Sequence, residues 1–65
     1  MANSFEIVVR VGVSTKSVSE AISNAVKEAN AEKAVSWFEV IEQRGRVTSA
    51  GEVEFQVTVK MGRAL

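Results

Sequence analysis

The segment Trp37-Phe38-Glu39-Val40-Ile41 puts large apolar groups on both faces of a single strand. Side chains alternate along a strand, so Trp37 and Ile41 point one way while Phe38 and Val40 point the other. One of those faces can be covered by the one helix the chain encodes. The other must meet a subunit, a ligand or both. The chain has little else to spend on burial, because a domain of 65 residues hides only about 60% of its unfolded surface. It has no cysteine and no histidine, which removes disulfide staples and the usual ligands of zinc, copper and iron. With 46% apolar residues a core is affordable, and oligomerisation is expected to supply the missing burial.

The elements follow from periodicity. Phe5, Ile7, Val9, Val11 and Val13 alternate with Glu6, Val8, Arg10 and Gly12, the pattern of a strand with one face against a core. Ser14, Thr15 and Ser17 then supply helix-start chemistry, and Ser17-Val18-Ser19-Glu20 has capping-box spacing; any of the three can be the cap. Val18, Ala21, Ile22, Ala25, Val26 and Ala29 form the apolar stripe of a helix of roughly four turns. Its three alanines allow close approach to a sheet. Asn30 is the expected stop, with residues 31–34 as a connection. In the last strand Val53, Phe55, Val57, Val59 and Met61 oppose Glu52, Glu54, Gln56, Thr58 and Lys60. The turn cluster Thr48-Ser49-Ala50-Gly51 makes a hairpin of the last two strands, and Gly45 marks a bulge or bend. The fold class is α+β: a β-α-β-β order with a three-stranded antiparallel sheet and one amphipathic helix, in a single domain over residues 1–65 without repeats or linkers.

Trp37 and Gln56 are the first candidates for chemistry. An indole offers a broad π-face for stacking, and a carboxamide offers a donor beside an acceptor for the edge of a planar heterocycle. Two readings of Trp37 stand side by side, a ligand platform or a core and interface residue. Gln56 taken alone reads as a solvated outward residue on an alternating strand. The two share a face only if the hairpin pairs with an odd register sum or carries a bulge near Gly45. Arg44-Gly45-Arg46 could hold a phosphate or could keep a strand end soluble, and Arg10 and Lys60 read as surface charges.

Other classes find little support. Eight basic residues cancel eight acidic ones, so no electrostatic footprint for nucleic acid exists. No apolar run approaches the ~18 residues of a membrane span, and no signal-peptide core is present, so a soluble, cytoplasmic protein is expected. The glutamates are scattered without the alternating ligand loop of a calcium site. With no His, Cys or Tyr and no serine elbow, the chain does not read as an enzyme.

The ordered set Gly12-Val13-Ser14, Trp37-Phe38-Glu39-Val40, Arg44-Gly45 and Phe55-Gln56-Val57-Thr58-Val59-Lys60-Met61-Gly62 resembles the dodecins, small flavin-binding proteins that assemble as a hollow shell of twelve subunits. The resemblance covers nearly the whole chain. It implies the same β-α-β-β fold wrapped around the helix, and self-association as a homododecamer. It further implies FMN or riboflavin as cofactor, stacked in pairs between Trp37 and its symmetry mate from another subunit. Gln56 would then hydrogen-bond the ring edge, Glu42 would stand near the flavin, Ser36 would flank the site, and Arg46 would reach an FMN phosphate. Some bacterial dodecins also bind coenzyme A, for which no residue is carried over. The implied function is flavin storage, buffering and photoprotection, with quenching by the indole in place of turnover. Alternatives are a dodecin-like shell without flavin, a coenzyme carrier, or an interaction module in which Trp37 is only an interface anchor. Two positions depart from the family pattern. The ending Gly62-Arg63-Ala64-Leu65 lacks the usual aromatic after the glycine, and Arg10 replaces an often acidic residue.

Overall fold

The computed structural model describes residues 3–65, so the first two residues of the expected domain lie outside the described ones. Strand β1 (Phe5–Ser14) is followed by helix α1 (Val18–Glu32), strand β2 (Trp37–Val47) and strand β3 (Val53–Ala64). All pairing is antiparallel, and the spatial order β1-β3-β2 puts the last strand in the centre. The expected β-α-β-β architecture is present, with the helix lying on one face of the sheet.

Local chemistry accounts for the helix ends. Ser17 is the N-cap, and its hydroxyl accepts from the Glu20 amide at 2.9 Å. Ser14 supports the turn before it: its hydroxyl accepts from the amides of Lys16 and Ser17 and donates to the Glu20 carboxylate at 3.0 Å. The helix continues past Asn30 to Glu32. Asn30 still organises the exit, because its side-chain oxygen accepts from the Val35 amide at 2.8 Å.

Ala21, Ala25 and Ala29 of α1 pack on Val57, Val59 and Met61 of β3, and these six residues form the fully buried core. Val8, Val18, Ile22, Val26, Val35, Val40 and Phe55 surround it, half-buried. Small residues decide how closely the layers approach. A Cβ on Gly12 would collide with the Ala21 carbonyl and sit 3.0 Å from the Ala25 methyl.

That close approach corrects one expectation. Phe5, Ile7, Val9, Val11 and Val13 do not face the helix; they lie on the opposite side of β1, each 45–57% exposed. The helix rests on the other row, where Gly12 and Ser14 leave room for an alanine-lined surface. The Phe5–Val13 row is the more apolar of the two, but only the row with the glycine admits a helix so near.

The single chain is elongated. Its radius of gyration is 13.2 Å, against about 11 Å for a compact domain of this length. A 15-residue helix is roughly 22 Å long, whereas the 12 residues of β3 reach roughly 40 Å. The helix therefore covers the Val57–Arg63 half of the sheet, and the hairpin tip extends beyond it.

The unusual terminus folds back on the same chain. Arg63, only 8% exposed, donates from Nη1 to the Ala29 carbonyl at 3.3 Å, near the C-terminal end of α1. A cation there complements the negative end of the helix dipole. Its Nε lies 3.2 Å from a Glu6 carboxylate oxygen, although without hydrogen-bond geometry. Arg10 donates to Glu32 at 2.6 Å. That hydrogen bond holds the Glu32 carboxyl below its ordinary range and raises the Arg10 guanidinium. Both departures from the family pattern thus join one charged cluster at the end of the helix.

Candidate functional site

The hairpin register determines which side chains can cooperate. Trp37 pairs with Gly62, Phe38 with Met61, Glu39 with Lys60 and Val40 with Val59. The sum of paired numbers is odd there, so Trp37 lies on the same face of the sheet as Gln56, away from the helix. A register shift at Ile41, between Val40 and Glu42, then adds one residue to β2. Beyond it Glu42 pairs with Thr58, Arg44 with Gln56 and Arg46 with Glu54. Without that extra residue Glu42, Arg44 and Arg46 would point to the helix side. The irregularity sits at Ile41 and not at Gly45, which pairs regularly with Phe55. The sequence carried a trace of it, because the charged positions run 39, 42, 44, 46 and skip one step of the alternation.

Trp37 is seated by an absent side chain. Its indole lies over Gly62, where a Cβ would overlap the ring carbons and be 2.5 Å from the indole nitrogen. Phe5 from β1 meets the indole edge-on, with centroids 6.1 Å apart and planes at 68°. The Ser36 amide donates to the Gly62 carbonyl at 2.8 Å and pins the strand end that carries Trp37. Trp37 remains 38% exposed, leaving part of the indole open for stacking. Gly62→Ala should therefore displace the indole while leaving the pairing of β3 intact. Trp37 is the chain's one tryptophan, so a shift of its emission spectrum at unchanged far-UV circular dichroism is the expected result. An unchanged emission spectrum would show that the ring does not depend on that seat.

The second group lies towards the hairpin tip. Arg46 donates from Nε to Glu54 at 2.8 Å, and Gln56 donates from Nε2 to the same carboxylate oxygen at 3.0 Å. The hydrogen bond from Arg46, with that from Gln56 second, holds the Glu54 carboxyl below the usual range; the Arg46 guanidinium is raised in turn. Glu42 is exposed, with Arg44 at 3.9 Å.

The five residues expected at a site therefore share one region of the molecule only in part. Ser36 and Trp37 sit beside Gly62, whereas Gln56 and Arg46 sit together through Glu54, and Glu42 lies between the groups. Six positions along β3 separate Gly62 from Gln56, roughly 20 Å of strand. One chain cannot bring Trp37 and Gln56 to the same small ring. Two residues that the sequence did not single out, Gly62 and Glu54, are the immediate neighbours of the two that it did. The signals were present as a glycine opposite the tryptophan and a Glu-x-Gln spacing that puts both side chains on one strand face.

Among the described residues no group of three carboxylates converges to hold a metal ion, and no helix is long and apolar enough to cross a membrane.

Comparison with known proteins places the chain. Comparison with curated proteins gives no match. Among solved structures, dodecin from Thermus thermophilus, in a variant with one arginine replaced by alanine, is 37% identical, with 94% of this chain and 91% of that chain aligned at a TM-score of 0.84. Dodecin from Streptomyces coelicolor is 33% identical over 100% of this chain and 96% of that one, with a TM-score of 0.86. A calcium-chelating dodecin from Mycobacterium tuberculosis, 24% identical at a TM-score of 0.85, speaks for the fold alone. The Dodecin family model matches residues 5–65. On that match, which spans the described fold from the start of β1 to the C-terminus, the chain belongs to the dodecin family.

Proposed function

We propose that this protein is a flavin-binding storage and buffering protein that stacks FMN or riboflavin on Trp37 and performs no turnover. One observation carries the reading: a single tryptophan, seated over a glycine and half open, shares a sheet face with a glutamine whose amide is already oriented. Since ~20 Å of strand separates the two residues, a ring that touches both must lie between copies. The flavins would thus be held in pairs between symmetry-related Trp37 residues of a dodecameric shell. Arg46 keeps Nη1 free of Glu54 and would meet the phosphate of FMN, with Glu42 and Ser36 flanking the ligand. Each stacked ring would add about 1–3 kcal/mol, the range for bases on aromatic side chains. Contact with the electron-rich indole would quench the excited flavin and protect against its photochemistry.

Self-association has its own support. Phe5, Ile7, Val9, Val11 and Val13 leave roughly 400 Å² of apolar surface uncovered, worth on the order of 10 kcal/mol if removed from water. Dodecins are oligomeric, and a second copy is the occupant this face calls for. The same observation favours one competing reading. Trp37 touches Phe5 and so continues this apolar row, as an interface anchor would. A shell that carries coenzyme A or no ligand would then remain.

Titrating the protein into FMN and into riboflavin while following flavin fluorescence tests the reading. Saturable, near-complete quenching is expected, with quenching lost in Trp37→Ala while the assembly keeps its mass by light scattering. Loss of assembly in that variant would instead make Trp37 an anchor. Unchanged fluorescence with wild-type protein would remove the flavin assignment.

A further inference from the structure

The Glu54 carboxylate is the least exposed acidic partner on the sheet face opposite the helix, with its side chain only 15% exposed. Two donors converge on one of its oxygens: Arg46 Nε from the neighbouring strand at 2.8 Å, and Gln56 Nε2 from two residues along the same strand at 3.0 Å. Arg46 Nη2 adds a longer contact to the second oxygen at 3.5 Å. The register brings the three side chains within reach, because Arg46 is the direct cross-strand partner of Glu54 and Gln56 is its nearest neighbour on the same face.

A primary amide has two ends that differ in chemistry but hardly in shape, so a free glutamine can present either one. An ionised carboxylate only accepts hydrogen bonds. Facing Glu54, the Gln56 amide must turn its nitrogen towards the carboxylate and its Oε1 away from it. We propose that Glu54, anchored by Arg46, is a positioning residue that fixes Gln56 with its carbonyl oxygen as the acceptor for ligand. The geometry selects a heterocycle whose edge carries an N–H donor, as an imide edge does, and disfavours one whose edge only accepts. The ligand half of this inference rests on the flavin reading; the orientation half stands on the unliganded chain.

Two measurements on the assembled protein decide it. The first needs no ligand. The chain holds five side-chain amides, at Asn3, Asn24, Asn30, Gln43 and Gln56, few enough to resolve by ¹⁵N–¹H correlation. In the wild type the Gln56 NH₂ pair should be split widely and exchange slowly, with exposed Gln43 as the internal comparison. Glu54→Ala should collapse Gln56 onto the Gln43 pattern while the backbone spectrum of β1 stays in place. A Gln56 signal unmoved by Glu54→Ala would overturn the orientation.

The second measurement is a riboflavin titration of wild type, Glu54→Ala, Gln56→Ala and the double variant; riboflavin carries no phosphate, so Arg46 cannot contribute through one. Glu54→Ala should weaken binding by roughly tenfold, one oriented hydrogen bond. In the Gln56→Ala background the same change should cost less than about twofold, because the residue it orients is gone. Equal losses in both backgrounds would show that Glu54 acts independently of Gln56 and would sink the positioning role. A riboflavin methylated at the imide nitrogen should bind the wild type about tenfold more weakly, and a wild type indifferent to the methyl would overturn the donor-edge selection. Should the wild type bind no flavin at all, the flavin reading and the ligand half fall together, while the amide spectrum still decides the orientation.

Discussion

Gly12→Ala should cost about 3 kcal/mol or more of stability per chain, at or beyond the upper end of ordinary overpacking. The added methyl meets the Ala21 carbonyl, a backbone atom inside a helix, with the Ala25 methyl 3.0 Å away on the same surface. Neither can rotate aside. Relief requires the helix to lift from β3, and lifting it opens the contact between Ala21, Ala25, Ala29 and Val57, Val59, Met61, which is the whole of the fully buried core. Gly51→Ala is the matched comparison. Gly51 has φ of 83° at the hairpin turn, with open space around it, and the substitution there should cost about 1 kcal/mol of backbone strain. Urea unfolding at one fixed protein concentration measures both, since subunit association contributes to the midpoint. Equal midpoints for the two variants would mean that the helix is not held against Gly12 as closely as described.

The second large effect is expected at Val11. It stands within the apolar row of β1 and is its most exposed member, at 57%, paired with Thr58. In a single chain Val11→Lys would do little, because the ammonium reaches water. Where that face is covered by another copy, each interface would bury an unpaired charge at a penalty of several kcal/mol, and Lys60 on the adjacent pair adds like charge. Sedimentation or light scattering should therefore show the assembly reduced to small species, with helix and sheet signals retained or weakened. A variant that keeps the wild-type mass would show that this row faces solvent or a cavity and that the subunits meet elsewhere.

Several parts of the site were open to reading from local chemistry. Trp37 announced itself because a strand with large residues on both faces cannot be satisfied by one helix. The shared face of Trp37 and Gln56 was conditional on an odd register sum, and the pairing of Trp37 with Gly62 meets that condition. The sequence could not show that the two residues stand six positions apart along β3. Nor could it show that Gln56 has its amide direction set by Glu54, since that contact depends on a rotamer and on Arg46 arriving from the next strand.

The fold divides in the same way. The order of elements, the hydroxyl-rich helix start, the alanine stripe and the alternation of β3 are written in the sequence, because each follows from interactions within a few residues; which hydroxyl caps the helix was decided by the structure, at Ser17. Three other features required the assembled sheet. The helix chose the Gly12 row of β1 over the bulkier Phe5–Val13 row because only the glycine side lets an alanine surface approach. The extra residue entered at Ile41 because the register on either side of it satisfies different cross-strand partners. Arg63, in the place of the family's aromatic, turned back to the helix end because the Ala29 carbonyl and the Glu6 and Glu32 carboxylates gather there. Periodicity says that a strand has two faces, but what each face meets is fixed only when the layers pack.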